Sequence, residues 1–172
     1  MFRTVDYLLR PKSIALVGAS DSSRGGWVQE IYYNLEFSGF PAKLYLVNPK
    51  RRELWGRPVY SNFAAIPEPV DLALTVIPTA AVVDTLAEAS ANGLKCALIY
   101  AAQFGEGGDA EGQKRGQALL ALSDKHGLAL RWSGQDATAR SRSSSRSRTT
   151  TGKASAGSAR PPSRAAPFPR ST

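Results

Sequence analysis

Two short stretches carry residue types suited to holding a phosphorylated ligand. The first is Gly18-Ala19-Ser20-Asp21-Ser22-Ser23-Arg24-Gly25-Gly26, in which six of the eight residues from Ala19 onward are Ala, Ser or Gly. Small side chains let backbone N–H groups approach a ligand closely, and a helix opening after such a loop points its positive dipole end at the same place. The second is Asn48-Pro49-Lys50-Arg51-Arg52, with three cations in a row. A dinucleotide site selective for an unphosphorylated ribose places Asp or Glu at about this distance past the glycine loop, to accept bonds from the ribose hydroxyls. Cations there suit a phosphorylated ribose, as in NADP or the 3′-phosphate of coenzyme A, because charge-assisted bonds to phosphate are the strong ones. A merely solvated basic loop has the same composition.

Two other residues could be reactive in principle. Cys96 stands alone among apolar neighbours with no base beside it in sequence, which fits a small buried hydrophobe better than a nucleophile. His126 is the only histidine and falls at the end of a helical pattern, where an imidazole favours the helix dipole and is far from the strand ends at which such folds build their clefts. No residue is therefore assigned a catalytic role, and no metal ligand set is assigned.

The elements that must position the two stretches follow from hydrophobic pattern. Ile14 to Val17 is an unbroken apolar run, as in a strand covered on both faces of a parallel sheet, and Gly18 ends it. Before it, Thr4 to Leu9 forms a short amphipathic segment stopped by Pro11. After the loop, Trp27, Val28, Ile31, Tyr32 and Leu35 recur at helical spacing until Gly39. Lys43 to Val47 is a second strand, and a turn-rich connection from Leu54 to Pro69 has room for a short strand and a short helix. Asp71 to Ile77 is a third strand stopped by Pro78, followed by a helix that Thr79 could cap and that runs to Asn92-Gly93. Lys95 to Ala101 is a fourth strand, the flexible loop Gln103 to Gly108 leads to a helix from Ala110 to His126, and Leu128 begins a fifth strand. Strands alternating with helices predict an α/β Rossmann-like fold, a mostly parallel sheet with helices on both faces.

The formal charge of +8 is misleading as an average. Residues 1–130 hold 13 Lys/Arg against 13 Asp/Glu, whereas residues 131–172 hold nine cations against the single acid Asp136. The chain is thus read as one domain over 1–130 and a basic tail over 131–172. The tail is almost wholly Ser, Arg, Thr, Ala, Gly and Pro, a composition that predicts disorder because it buries too little apolar surface to offset ordering entropy. Its Arg140 to Arg148 run resembles a nucleic-acid-binding arm, yet aromatic stacking residues are missing and the domain offers no basic face to extend it, so nucleic acid is not the expected partner. A single cysteine, with no secretory leader ahead of the first strand, predicts a reducing, cytoplasmic setting, and no apolar run approaches the roughly 18 residues of a membrane span.

Several phrases occur together in the order of one family: Leu9-Arg10-Pro11-Lys12-Ser13-Ile14-Ala15-Leu16-Val17-Gly18-Ala19-Ser20, then Val47-Asn48-Pro49-Lys50, Pro67-Glu68-Pro69-Val70-Asp71-Leu72-Ala73, Ile77-Pro78 and Phe104-Gly105-Glu106. With these phrases residues 7–130 resemble the coenzyme A-binding domain of NDP-forming acyl-CoA synthetases, related to the succinyl-CoA synthetase alpha subunit. The resemblance implies a site for coenzyme A or acyl-CoA. Gly18, Ala19, Ser20 and Asp21, with Ser22, Arg24 and Gly25 of the following loop, would hold its phosphates; so would Asn48, Pro49, Lys50 and Arg51 at the second strand's end. Pro78, Ala102 and Gln103 would line the adenine or pantetheine path. An NADP-dependent oxidoreductase fragment is the rival, although Gly18-Ala19-Ser20 lacks the tighter Gly-x-Gly of that class.

Departures from the family bound the expectation. A glycine is usual where Gln103 stands. The family's phosphohistidine lies in a later domain, so this chain is expected to be a truncated, catalytically incomplete piece whose partners are the remaining synthetase domains or subunit. After the fifth strand the family continues with an apolar pair and a Gly-Pro-Asn-Cys-like phrase, where this chain has Arg131-Trp132-Ser133-Gly134-Gln135-Asp136-Ala137-Thr138. Starting each codon on the last base of the present one permits Leu-Val-Gly-Pro-Gly-Cys. The expectation is that the frame slips between Leu128 and Arg131 and that the tail is an out-of-frame translation.

Overall fold

The computed structural model describes residues 3–21, 26–105 and 107–132. The basic tail lies outside the described residues. The elements run α1 (Arg3–Leu9), β1 (Ser13–Val17), α2 (Trp27–Phe37), β2 (Lys43–Val47), β3 (Glu53–Leu54), β4 (Arg57–Tyr60), β5 (Leu72–Thr75), α3 (Thr79–Ala91), β6 (Cys96–Ile99), α4 (Ala110–His126) and β7 (Ala129–Arg131), with a 3-10 turn at Phe63–Ala65. The sheet has seven strands in the order β3-β4-β2-β1-β5-β6-β7. All pairs are parallel except β3 with β4. The α/β Rossmann-like architecture expected from the strand–helix alternation is the one observed.

Each side of the sheet has its own core, and the period-two alternation of strand side chains assigns residues to one or the other. Ala15, Val17, Ala73, Ala97 and Ile99 face α3 and α4, meeting Val82, Leu86 and Leu119. Ile14, Leu16, Leu72, Leu74 and Cys96 face α1 and α2, meeting Val28 and Tyr32. Thr75, the polar residue in the middle of this apolar sheet, is fully buried and donates its hydroxyl to the Leu98 carbonyl at 3.0 Å, so no donor is stranded. At the amino ends of the strands, Lys12 N–H donates to Asp71 Oδ2 at 2.8 Å while Ser13 Oγ accepts from Asp71 N–H at 3.1 Å. These bonds join the Pro11-Lys12-Ser13 and Pro69-Val70-Asp71 phrases, far apart in sequence, at one edge.

Two sequence expectations need correction. The connection after β2 holds a complete hairpin: β4 joins the sheet parallel to β2, and β3 folds back on β4. The two-residue turn is Trp55-Gly56, with φ of 53° and 72°, the twist that a tight hairpin requires. Trp55 is an unusual residue for that conformation, and its ring stacks on Tyr32 with centroids 4.2 Å apart. Thr79 does not cap α3. Pro78 is the N-cap and no side chain caps the helix; Thr79 instead donates its hydroxyl to the Ala102 carbonyl at 2.9 Å, tying α3 to the loop after β6.

Cys96 is buried in β6. Burial pushes its thiol up to about 11, with Arg131 pulling weakly the other way. At pH 8 the native protein is therefore expected to resist iodoacetamide over hours and to be alkylated promptly in urea, read by intact mass. Equal rates in the two conditions would contradict the buried placement.

Candidate functional site

The strand order reverses between β1 and β5, because the chain leaves β1 toward β2 on one side and returns to β5 on the other. Such a switch point leaves a crevice at the carboxyl ends of the two strands. Gly18 is the residue that makes it possible. Its N–H donates to the Val47 carbonyl at 2.9 Å, and Val76 N–H donates to the Val17 carbonyl at 2.9 Å, so the turn is pinned between β2 and β5. Gly18 takes φ +90°, and a Cβ there would overlap the Val76 carbonyl oxygen and stand 2.9 Å from Ile77 Cγ2.

Above this turn lies a cleft of about 660 Å³, comparable to small-molecule sites. Gly18, Ser20, Asn48, Pro49, Lys50 and Pro78 line it, six of the residues expected from sequence. Asn48 organises two of its walls. Its Nδ2 donates to the Ala19 carbonyl at 2.7 Å, and its Oδ1 accepts from Lys50 N–H at 2.8 Å. The amide group is thus spent on fixing the glycine loop against the β2 end, which makes Asn48 a positioning residue for Lys50.

The other expected residues are placed differently. Ala19 is fully buried beneath the loop and contributes its carbonyl to Asn48. Asp21 pairs with Arg51 at 2.6 Å, bridging the glycine loop and the second strand's end; both side chains remain about half exposed. Arg51 is therefore engaged by a carboxylate, while Lys50 faces the cleft. Ala102 meets α3 through Thr79 and does not line the cleft. Gln103 is also outside the lining and takes φ 73°, a backbone conformation that glycine adopts without strain. Ser22, Arg24 and Gly25 lie outside the described residues.

Because a side chain at φ 73° is strained by about 1 kcal/mol or more, Gln103→Gly is expected to stabilise the domain by roughly 1 kcal/mol in urea unfolding. A lower midpoint would mean that the side chain's contacts outweigh the strain.

Sequence reasoning missed the far wall. Asn62, Thr85 and Glu88 also line the cleft, and Glu88 Oε1 accepts from Phe63 N–H at 3.1 Å, holding the 3-10 turn against α3. These residues come from a connection and from mid-helix positions, where nothing in their spacing marks a ligand. His126 sits in the last turn of α4, at the opposite end of that helix from its Asp109 cap and apart from the cleft lining.

A parallel sheet with helices on both faces and a cleft at its switch point defines a Rossmann-like α/β domain. The coenzyme A-binding domain model matches residues 12–131, and the chain belongs to that family. Over 126 residues it is 40% identical to a trans-feruloyl-CoA synthase from an unknown prokaryotic organism, covering 73% of this chain and 18% of the relative. Over 128 residues it is 37% identical to the alpha subunit of ADP-forming acetate–CoA ligase II from Pyrococcus furiosus, covering 73% of this chain and 27% of the relative. Among solved structures, it is similar to acetyl-coenzyme A synthetase 1 from Ca. Korarchaeum cryptofilum in complex with phosphate and ADP, at a TM-score of 0.65 and 26% identity, covering 73% of this chain and 26% of that one. The chain thus spans less than a third of the length of these relatives. The family resemblance carried by the ordered phrases holds. No helix among the described residues is long and apolar enough to cross a membrane.

Proposed function

We propose that this chain binds coenzyme A or acyl-CoA in the cleft at the β1/β5 switch point, as the coenzyme A-binding part of an NDP-forming acyl-CoA synthetase. The observation that carries the reading is the meeting of Gly18, Ser20 and Lys50 at one cleft in a chain of this family. Backbone around Gly18 and Ser20 would hold the diphosphate, and the Lys50 ammonium the 3′-phosphate, each supplying donors to an oxyanion. Pro78 and Ile77 offer an apolar wall to the adenine. Ser22, Arg24 and Gly25 would extend the phosphate loop, and Ala102 and Gln103 the path beyond Thr79. No step of ligase turnover is assigned to this cleft, whose polar side chains are Ser20, Asn48, Lys50, Ser61, Asn62, Thr85 and Glu88.

Calorimetric titration of the purified chain with coenzyme A, dephospho-coenzyme A, NADP and NAD tests this. Coenzyme A is expected to bind tightest. Preference for NADP would favour an oxidoreductase fragment and overturn the reading.

The alternative-frame reading of residues 131–172 stands as a second proposal. Trp132 is buried and packs edge-on to Phe104 at 6.3 Å, but its indole N–H finds no acceptor among the described residues. Sequencing the gene across codons 128–138 decides it: an alternative frame that meets stops at once would make the tail genuine.

A further inference from the structure

The six exposed large hydrophobic side chains among the described residues sit on or beside α1 and α2, which cover one face of the sheet. Leu9 is on α1; Trp27, Tyr33 and Phe37 are on α2; Phe40 follows α2 and shares a surface hollow with Leu9; Tyr100, at the end of β6, meets Trp27 edge-on at 6.5 Å. Tyr33 stacks on Phe37 at 5.6 Å, and the three pairs together make up a band on the α1/α2 side. Trp27 is 72% exposed, Phe37 78% and Leu9 65%, far more than single scattered apolar residues need explaining. The α3/α4 side contributes none of the six.

The polar pattern agrees. Helix α2 contains no Lys or Arg, and of its two acids Glu36 is held by Arg57 at 2.5 Å, leaving Glu30 as the other charge. By contrast α4 carries Glu111, Lys114, Arg115, Asp124 and Lys125, the mixed charges of a solvated helix.

We infer that this band is a two-fold interface between two copies of the chain, with α2 packed antiparallel on α2. The area argues for a second copy. At 150–250 Å² per large side chain, the exposed parts of the six residues amount to roughly 700 Å² per chain, so a symmetric pair buries about 1,400 Å², within the range of specific interfaces. The geometry is self-complementary. A two-fold axis through the middle of α2 sets Trp27 of each copy against Phe37 of the other and Glu30 against Asn34, so the uncompensated carboxylates do not face one another. The interface lies on the face of the sheet away from α3.

Sedimentation equilibrium of the full chain tests this across the micromolar range. The expected mass is twice the 18.4 kDa of one chain. Phe37→Glu is expected to weaken association by at least ~30-fold, as truncating a central aromatic anchor does, with an unchanged circular dichroism spectrum and unchanged coenzyme A titration. Lys114→Glu on the opposite side should leave the dimer intact. Mixed Glu30→Cys and Asn34→Cys chains should form the hetero-disulfide in preference to either homodimer, Cys96 being buried. A monomer at all concentrations, which would leave the band to a different protein such as another synthetase domain, overturns the inference. So does a polydisperse series of larger species, or a dimer that Phe37→Glu does not weaken.

Discussion

Replacing Gly18 with alanine is expected to cost at least about 3 kcal/mol of stability and to abolish binding in the cleft. Two separate terms act at this position. An L side chain at φ +90° is disfavoured by about 1–2 kcal/mol, and a Cβ there overlaps the Val76 carbonyl, an overpacking cost of similar or larger size. The Val76 carbonyl cannot yield cheaply, because the Val76 N–H to Val17 bond fixes β5 against the end of β1. Relief must come from parting β1 and β5 at the switch point, which also displaces Ser20 and the loop wall. Thermal unfolding should show a fall in Tm of roughly 10 °C or more. Gly39→Ala is the matched comparison: φ is +66° but nothing lies within 4 Å of the added Cβ, so only the backbone term of about 1 kcal/mol applies. Similar losses in the two variants would show that close approach at Gly18 is not what requires glycine.

Lys50→Ala is expected to remove the preference for coenzyme A over dephospho-coenzyme A. A charge-assisted bond to phosphate contributes about 1.5–3 kcal/mol, so affinity for coenzyme A should fall by roughly 10- to 150-fold while that for the dephospho form barely changes. Arg51→Ala should act differently, because its guanidinium is held by Asp21 at 2.6 Å. Loss of an exposed pair of this kind loosens the loop by ~1 kcal/mol or less, and both ligands should weaken together by a small factor. Raising the salt concentration should erode the Lys50 effect. Retention of the full discrimination ratio in Lys50→Ala would remove the 3′-phosphate from that end of the cleft.

The two effects separate what was legible in the sequence from what was not. The ordering of β1, loop, α2 and β2 could be read because each is a local pattern: an unbroken apolar run, small residues, helical spacing, a second run. The ends of α4 were legible for the same reason, with Asp109 accepting from Gly112 N–H and Gly127 closing the helix in a left-handed conformation. The β3–β4 hairpin was hidden because its turn is Trp55-Gly56, and tryptophan is an unusual residue at positive φ; here its ring stacks on the distant Tyr32. Thr79 looked like a cap because its spacing is that of a cap. Its hydroxyl turned instead to the Ala102 carbonyl, an acceptor supplied by a different strand end.

For the candidate site, residue type and order alone determined that a small-residue loop and a basic strand end belong to one domain of the coenzyme A-binding family. Those properties are carried by consecutive residues and need no knowledge of what lies across the sheet. Charge alone did not separate the three cations Lys50, Arg51 and Arg52, although the family phrase ended on Lys50. Only the tertiary structure distinguishes Lys50 from Arg51, by bringing Asp21 to one and the cleft to the other, and only it shows Asn48 spent on joining the loops. It alone also adds Glu88 and Thr85 to the wall and gathers six exposed hydrophobic residues into one band. Local pattern records what a segment can become; partners separated by tens of residues decide where each charge and each ring finally points.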